Sequence, residues 1–315
     1  MEKISFIITD YNLPLYMIKE CLQSILALSL NRKEREIILI DDGSDLSPMD
    51  GLTNYREEFI YVRQPNQGVS VARNLGLRIS TGKFIQFIDG DDWIIQAPYE
   101  HCIDLVRYYN PDVVLFKMTH HKHTEVQFDV TGPVDGSDYM LHNNIHGSAC
   151  SCIFRKDLLG ELRFFENRKY CEDEEFMPRL LLKSERLFHT PSQAYYYRQH
   201  TASVLHKISP KDKIRRLNDN VSIILHLSYL ADTLTPIERE ALKRRVAQLT
   251  MDYIYNVITL TRNVHYLENC IQRLYEHGLF PLPDKRYTRI YIWFRKLTLT
   301  KTRRKLLCRL LPHLS

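Results

Sequence analysis

The chain has 315 residues, 44% apolar and 26% charged, with a formal net charge of +5. These values exclude a disordered or collagen-like chain and suit a soluble globular protein with room for one large or two smaller domains. No apolar run approaches the ~20 residues of a membrane-spanning helix, and the opening MEKISFIITDYN turns polar too soon for a secretory signal, so a cytoplasmic location is expected. The seven cysteines are scattered without a CxxC pair, which predicts reduced thiols. Charge is unevenly spread: ten of the 43 Lys and Arg lie in residues 285–315, which hold none of the 38 Asp and Glu. A net acidic body therefore carries a strongly basic segment, whose partner should be anionic.

In chain order, Ile4–Thr9 is β-branched and aromatic and reads as a first buried strand. Asn12 and Pro14 open a helix in which Met17, Ile18, Cys21, Leu22, Ile25 and Leu26 follow i, i+3/i+4 spacing. Glu36–Ile40 reads as a second strand, ending at Asp41-Asp42-Gly43-Ser44, and Phe59–Val62 as a third. Asn66–Gly68 turns the chain into a helix over Val69–Ile79, and Gly82 leads into the run Phe84–Ile88, apolar but for Gln86. Such a run predicts a strand covered on both faces, with Asp89, Asp91 and Asp92 at the carboxyl end, where open α/β sheets hold ligands. Two carboxylates about 4 Å apart repel by about 4 kcal/mol at an effective dielectric of 20, so three need a cation, a shared proton or ample water; a cation is expected. The βαβ alternation implies a mostly parallel sheet. It is not a Rossmann dinucleotide site, because the position for GxGxxG reads TDYNLP and the first glycine is Gly43.

Further on, a helix is expected over Tyr99–Tyr109 and a strand over Asp112–Met118. His120–Asn144 reads as loop or edge structure, with His120, His121 and His123 as solvated surface. Ser151–Arg155 reads as a short strand and Asp157–Leu162 as helical. One amphipathic helix is expected from the acidic run Glu172–Glu175 through Phe176, Leu180, Leu181 and Leu187. From Pro210 the pattern is helical, over Ile214–Leu230, Pro236–Asn263 and Tyr266–Gly278, which places a domain boundary near 208: residues 1–208 α/β, residues 209–315 helical.

The series SFIITDYN at 5–12, DDGS at 41–44, NQGVSVARNLG at 66–76 and DGDD at 89–92, with Glu172-Asp173 downstream, resembles the family 2 glycosyltransferases over roughly residues 4–205. The resemblance implies a GT-A fold with a Rossmann-like, mostly parallel central sheet and an inverting transfer from a nucleotide sugar. It also implies Mn²⁺ or Mg²⁺ as cofactor, in keeping with oxygen-only ligands. On the donor side it implies Thr9 and Tyr11 beside the base, Asp41 or Asp42 (Asp42 favoured) on the uracil ring, and Arg73 as a fixed cation near base or diphosphate. Asp89, Gly90 and Asp91 complete that side, with Asp89 on ribose or metal, Asp91 chiefly on metal, and Asp92 a ligand or a structural neighbour. Asn74 and Ser70 are read as organising the turn and helix. Asp173 is implied as the base and Glu172 as orienting the acceptor, with Glu174 as an alternative in the acidic run. Arg198, His200 and Ser203 match a late Y-R-x-H-x-x-S segment, which makes His200 a further candidate for metal or phosphate. Two departures are local: Thr9 stands where most members have proline, and the DDGSD loop is one residue short.

The basic segment RYTRIYIWFRKLTLTKTRRKLLCRLLPHLS mixes aromatics, leucines and cations. Its composition suits an anionic membrane surface first, packing on the acidic body second, and nucleic acid least. The leading functional expectation is a metal-dependent inverting transferase acting on a hydroxyl of a glycan or lipid-linked oligosaccharide, as in surface polysaccharide biosynthesis, peripheral at the cytoplasmic face. The alternative is a non-catalytic sugar- or membrane-binding protein that retains the fold.

Overall fold

The computed structural model describes residues 2–121, 127–199 and 209–311. Contacts divide the chain into two compact units, Met1–Tyr139 with His146–Ser203, and Met140–Ile145 with Val204–Ser315.

The first unit is built on one sheet. Its strands are β1 (Ile4–Asp10), β2 (Arg35–Asp41), β3 (Ile60–Arg63), β4 (Phe84–Asp89) and β5 (Trp93–Ile94), followed by β6 (Val113–Thr119), β7 (Thr131–Val134), β8 (Cys152–Arg155) and β9 (Leu187–Tyr196). Among the described residues they lie in the order β3-β2-β1-β4-β8-β6-β9-β5, with β7 on β9. The first four are mutually parallel. Beyond β4 the sheet is mixed, since β8 runs antiparallel to both β4 and β6 while β6 and β9 are parallel. The parallel order read from the sequence thus holds for the first half of the sheet. Helices α1 (Leu15–Leu26), α2 (Val69–Ile79) and α3 (Gln96–Tyr109) follow in turn, then α4 (Gly136–His142), which begins in this unit and ends in the Met140–Ile145 segment, and α5 (Glu172–Leu181).

Ile4, Phe6, Ile7 and Ile8 of β1 and Phe84, Ile85, Phe87 and Ile88 of β4 are all buried, which requires cover on both faces of the sheet. Gln86 is fully buried among them and is paired: its amide donates to the Phe87 and Cys150 carbonyls at 2.6 and 2.9 Å and accepts from the Tyr99 hydroxyl at 3.1 Å. Gly76 lets α2 sit against β1, because a Cβ there would meet Ile7 Cγ2 at 2.3 Å. In this packing chain order reverses between β1 and β4, the switch point at which open α/β sheets form their crevice.

Three local expectations are corrected. Leu187 is not in the helix with Leu180; α5 stops at Leu181, and Leu187 opens β9 opposite Val113. Asp112 holds that turn by accepting from the Glu185 and Arg186 amides at 2.9 and 3.0 Å, a long-range tie that periodicity does not register. The stretch 157–162 is a 3-10 turn over Lys156–Leu159. The region 120–144 contains edge strand β7 and also helix α4, whose start is capped by Asp135 accepting from the Ser137 and Asp138 amides. His120 and His121 are exposed, and His123 lies outside the described residues.

The second unit is helical: α6 (Pro210–Ala231), α7 (Pro236–Thr261), α8 (Val264–Glu276), α9 (Arg289–Thr298) and α10 (Lys301–Leu310). Pro210 follows the capping Ser209, and Pro236 follows a Thr235–Glu238 capping box, so both long helices begin with proline where its missing N–H costs nothing. Leu217, Ile224, Leu242, Leu249, Ile254 and Leu267 form part of its core. No described helix is long and apolar enough to cross a membrane.

Candidate active site at the carboxyl ends of three strands

Register alone gathers acids. Asp10 of β1 pairs with Asp41 of β2, and Thr9 pairs with Asp89 of β4, so three strand ends present carboxylates side by side. Asp10 was not singled out from sequence, although it lies between Thr9 and Tyr11. Burial, with Asp41 and Asp91 nearby, pushes its carboxyl up to about 6. Thr9 is half-buried and Tyr11 is exposed.

The two acids of DDGS serve the loops around them. Asp41 is fully buried and accepts from the Ser44 amide at 2.8 Å and the Tyr61 hydroxyl at 2.7 Å. Asp42 accepts from the Gln67 and Gly68 amides at 3.0 and 2.8 Å and from the Gln64 side chain at 2.7 Å, fastening the turn that enters α2. An ionised carboxylate has about four acceptor sites, so Asp42 retains capacity for one more donor. Asn12, at φ 54° in the left-handed region that Asn tolerates, takes its amide to Ser44 Oγ at 2.8 Å and accepts from the Asp45 amide at 2.7 Å. The loops after β1 and β2 are thereby stitched together.

At the end of β4 the acidic cluster separates into distinct members. Gly90 is required sterically, since a Cβ there would lie 2.9 Å from the Thr9 carbonyl oxygen. Asp92 is fully buried, accepting from the Tyr195 hydroxyl and the Arg198 amide, both at 2.8 Å. Its burial, with Asp89 and Asp91 close by, pushes its carboxyl up to about 8. Asp92 thus faces Tyr195 and the Arg198 backbone at the base of the turn. Tyr195 also accepts from the Asp89 amide at 3.1 Å, so one phenol spans the DGDD turn. Tyr195→Phe should cost about 1–3 kcal/mol in urea denaturation, because Asp92 loses a buried donor; a stability equal to wild type would mean the phenol is dispensable. Arg198 seals the same turn, donating from Nε to the Asp91 carbonyl at 2.6 Å, pairing with Glu20, and lying over Trp93 at 4.6 Å. His200 and Ser203 lie outside the described residues.

Arg73 is the centre of the arrangement. It is 3% exposed and lies over the rings of Phe164 and Phe87 at 5.3 and 5.8 Å. Asn74 fixes that floor, exchanging hydrogen bonds with the Phe164 backbone at 2.9 and 3.0 Å. The guanidinium donates to Asp89 at 3.0 Å, Glu172 at 3.2 Å and Asp173 at 2.6 Å. It thus joins residues about a hundred positions apart, with Nη1 on Glu172 and Asp173 and Nη2 on Asp89 and the Cys150 sulfur. The cation that the acidic cluster needed is in part this one.

Glu172 and Asp173 open α5, where the helix dipole favours anions. Cys171 precedes them at φ 62°, a left-handed conformation that a non-glycine residue holds only where its surroundings enforce it. Asp173 also accepts from the Ala149 amide at 3.1 Å. Burial pushes the Asp173 carboxyl up to about 7, against the lowering influence of Arg73. Burial raises Glu172 as well, with Arg73 opposing. The acidic run divides by contact: Glu172 and Asp173 face Arg73, Glu174 lies where a Cβ on Gly147 would collide with it, and Glu175 pairs with Arg179 at 2.5 Å. Ala149 left no mark in the sequence because its backbone amide does the work, whatever side chain it carries.

Among the described residues no three His, Cys, Asp or Glu side chains converge as metal ligands. Asp89 and Asp91 offer hard oxygens at one strand end, and Asp89 is already paired with Arg73. That donor set fits Mg²⁺ or Mn²⁺ held by one or two carboxylates together with substrate phosphates, and it does not fit an ion caged by protein alone.

The minor teichoic acid biosynthesis protein GgaB of Bacillus subtilis is 27% identical to this chain over 206 residues, covering 62% of this chain and 23% of GgaB. The poly(ribitol-phosphate) beta-glucosyltransferase of Bacillus spizizenii is 30% identical over 212 residues, covering 62% and 32%. The chain thus spans a third or less of either relative's length. A crystal structure of S. aureus TarS in complex with UDP-GlcNAc superposes with a TM-score of 0.58 at 19% identity, covering 98% of this chain and 91% of that one. That likeness concerns the fold, which is of the GT-A type. Residues 5–163 match the family described as Glycosyl transferase family 2. With half of its length matched in this way, the chain belongs to glycosyl transferase family 2.

Proposed function

We propose that this chain transfers a sugar from a uridine-diphosphate sugar to a hydroxyl of a glycan or lipid-linked oligosaccharide, in the building of a surface polysaccharide. The observation that carries this reading is the Arg73 bridge, which links Asp89 at the end of β4 to a half-buried carboxylate, Asp173, whose pKa of about 7 suits a general base at neutral pH. The similarity to enzymes named for teichoic acid and poly(ribitol-phosphate) glycosylation supports the acceptor class. The fold shared with a UDP-GlcNAc complex supports the donor class.

In this mechanism Tyr11 and Asp42 receive the base, and Asp89 and Asp91 hold the ribose and diphosphate side. A divalent ion bound there would supply charge compensation for the diphosphate. Asp173 takes the proton from the acceptor hydroxyl as that oxygen bonds to the anomeric carbon from the face opposite the diphosphate. The bond from sugar to diphosphate breaks, its electron pair leaves with the diphosphate, and the anomeric configuration inverts. Glu172 orients the acceptor, while Arg73 holds Asp173 in place.

The test is a panel of nucleotide sugars with Mn²⁺, Mg²⁺ or a chelator, assayed for donor hydrolysis without acceptor. One uridine-diphosphate sugar should be hydrolysed in the presence of the ion and spared with the chelator. If no nucleotide sugar were turned over or bound under any condition, the chain would be a binding protein on a transferase fold.

A further inference from the structure

The basic segment is not absorbed by the transfer chemistry, and its two helices have distinct sides. One side is packed within the helical unit. Tyr291, Phe294 and Cys308 are buried, and Arg304 is 4% exposed, forking onto Glu268 at 2.6 and 2.7 Å while donating to the Thr298 carbonyl at 2.7 Å. The other side is open to solvent and is not polar. On α9, Ile290, Trp293 and Leu297 follow i, i+3, i+7 spacing and form one stripe, with Ile290 and Trp293 73% and 68% exposed. Arg289 and Lys296 border it, the Lys296 ammonium lying 5.8 Å from the Trp293 ring centre. On α10, Leu306 and Leu310 are exposed one turn apart, with Arg303 and Arg309 beside them.

We propose that this solvent-facing side of α9 and α10 is a docking surface for an anionic lipid bilayer. Exposed large apolar groups cost free energy in water, and a stripe of them edged by cations is rewarded on both counts by an interface with negative headgroups above and acyl chains below. Trp is the side chain best suited to that boundary. No Asp or Glu falls within 285–315 to repel such a surface. With no described helix long enough to cross, the two helices would lie in the interface plane. Duplex nucleic acid would use the cations and leave the isoleucine and leucines unrewarded.

The test is co-sedimentation of the full chain with vesicles of phosphatidylcholine alone or mixed with phosphatidylglycerol, with duplex DNA as a competing polyanion. Binding should require phosphatidylglycerol. An Arg289→Ala/Lys296→Ala/Arg309→Ala variant should partition about 100-fold less, since each cation near the surface contributes about fivefold. A Trp293→Ala/Leu306→Ala variant should also bind more weakly but keep the salt dependence of the parent, because apolar insertion is not screened. All five side chains are exposed, so circular dichroism and donor hydrolysis should match the parent, and failure of docking would be separable from failure of the transferase reading. Equal binding to neutral vesicles, full binding by the triple variant, or tighter binding to DNA than to anionic vesicles would each overturn the proposal.

Discussion

Asp173→Asn is expected to lower turnover by about 10²–10⁴-fold, the range of general base catalysis, while the affinity for donor stays at the parent value. The amide keeps the shape of the carboxylate and still offers an oxygen to the Ala149 amide or to Arg73, so the local fold should persist. What it cannot do is take a proton. The same residue is expected to set the pH dependence. Burial raises its pKa to about 7, and the ionised form is the base, so parental activity should be low in acid and rise through about pH 7 to a plateau. In the Asn variant that limb should vanish from the residual rate. Parental transfer by this variant, measured beside donor binding by calorimetry, would remove Asp173 from the mechanism.

Arg73→Met should be destabilising by about 3–5 kcal/mol, because it leaves Glu172, Asp173 and Asp89 without their shared buried cation. The second consequence has a definite sign. Arg73 opposes the burial that raises Asp173, so its loss moves the pKa further up and shifts the acid limb of activity to higher pH. Arg73→Lys should be intermediate. It restores a charge, but an ammonium cannot reach carboxylates on both sides as a planar fork does. Urea denaturation and a pH–rate profile of both variants decide the matter. If Arg73→Met lost donor affinity while keeping parental stability and an unmoved limb, Arg73 would be a donor contact, as its place in the ARN triplet first implied.

How far the site could be read from the chain depended on the range of the interactions that build it. Apolar runs and punctuation marked β1, α2 and β4 within a residue or two, because period and turn chemistry are local. Glu172 and Asp173 were visible as an acidic pair before an apolar helix. The sequence could not show which of four consecutive acids meets Arg73, since that depends on how Cys171 sets the first turn of α5. Asp92 and Asp91 look alike in DGDD, yet one is buried beneath Tyr195 and the other is half-exposed, and only β9 makes that difference. Leu187 was misread for the same reason: its partner Val113 lies far back along the chain.

Composition, periodicity and motif order by themselves determined an α/β body ahead of a helical region, carboxylates where the first strands end, and a basic segment of mixed character. Tertiary structure decided the charge pairing. Register placed Asp10 against Asp41, and packing on Phe164 and Phe87 put Arg73 between Asp89 and Asp173. Folding alone also separated the inward face of α9 and α10 from the exposed one. The physical reason is that strength of pairing and shift of pKa depend on distance and burial, which are properties of the folded space and not of spacing along the chain.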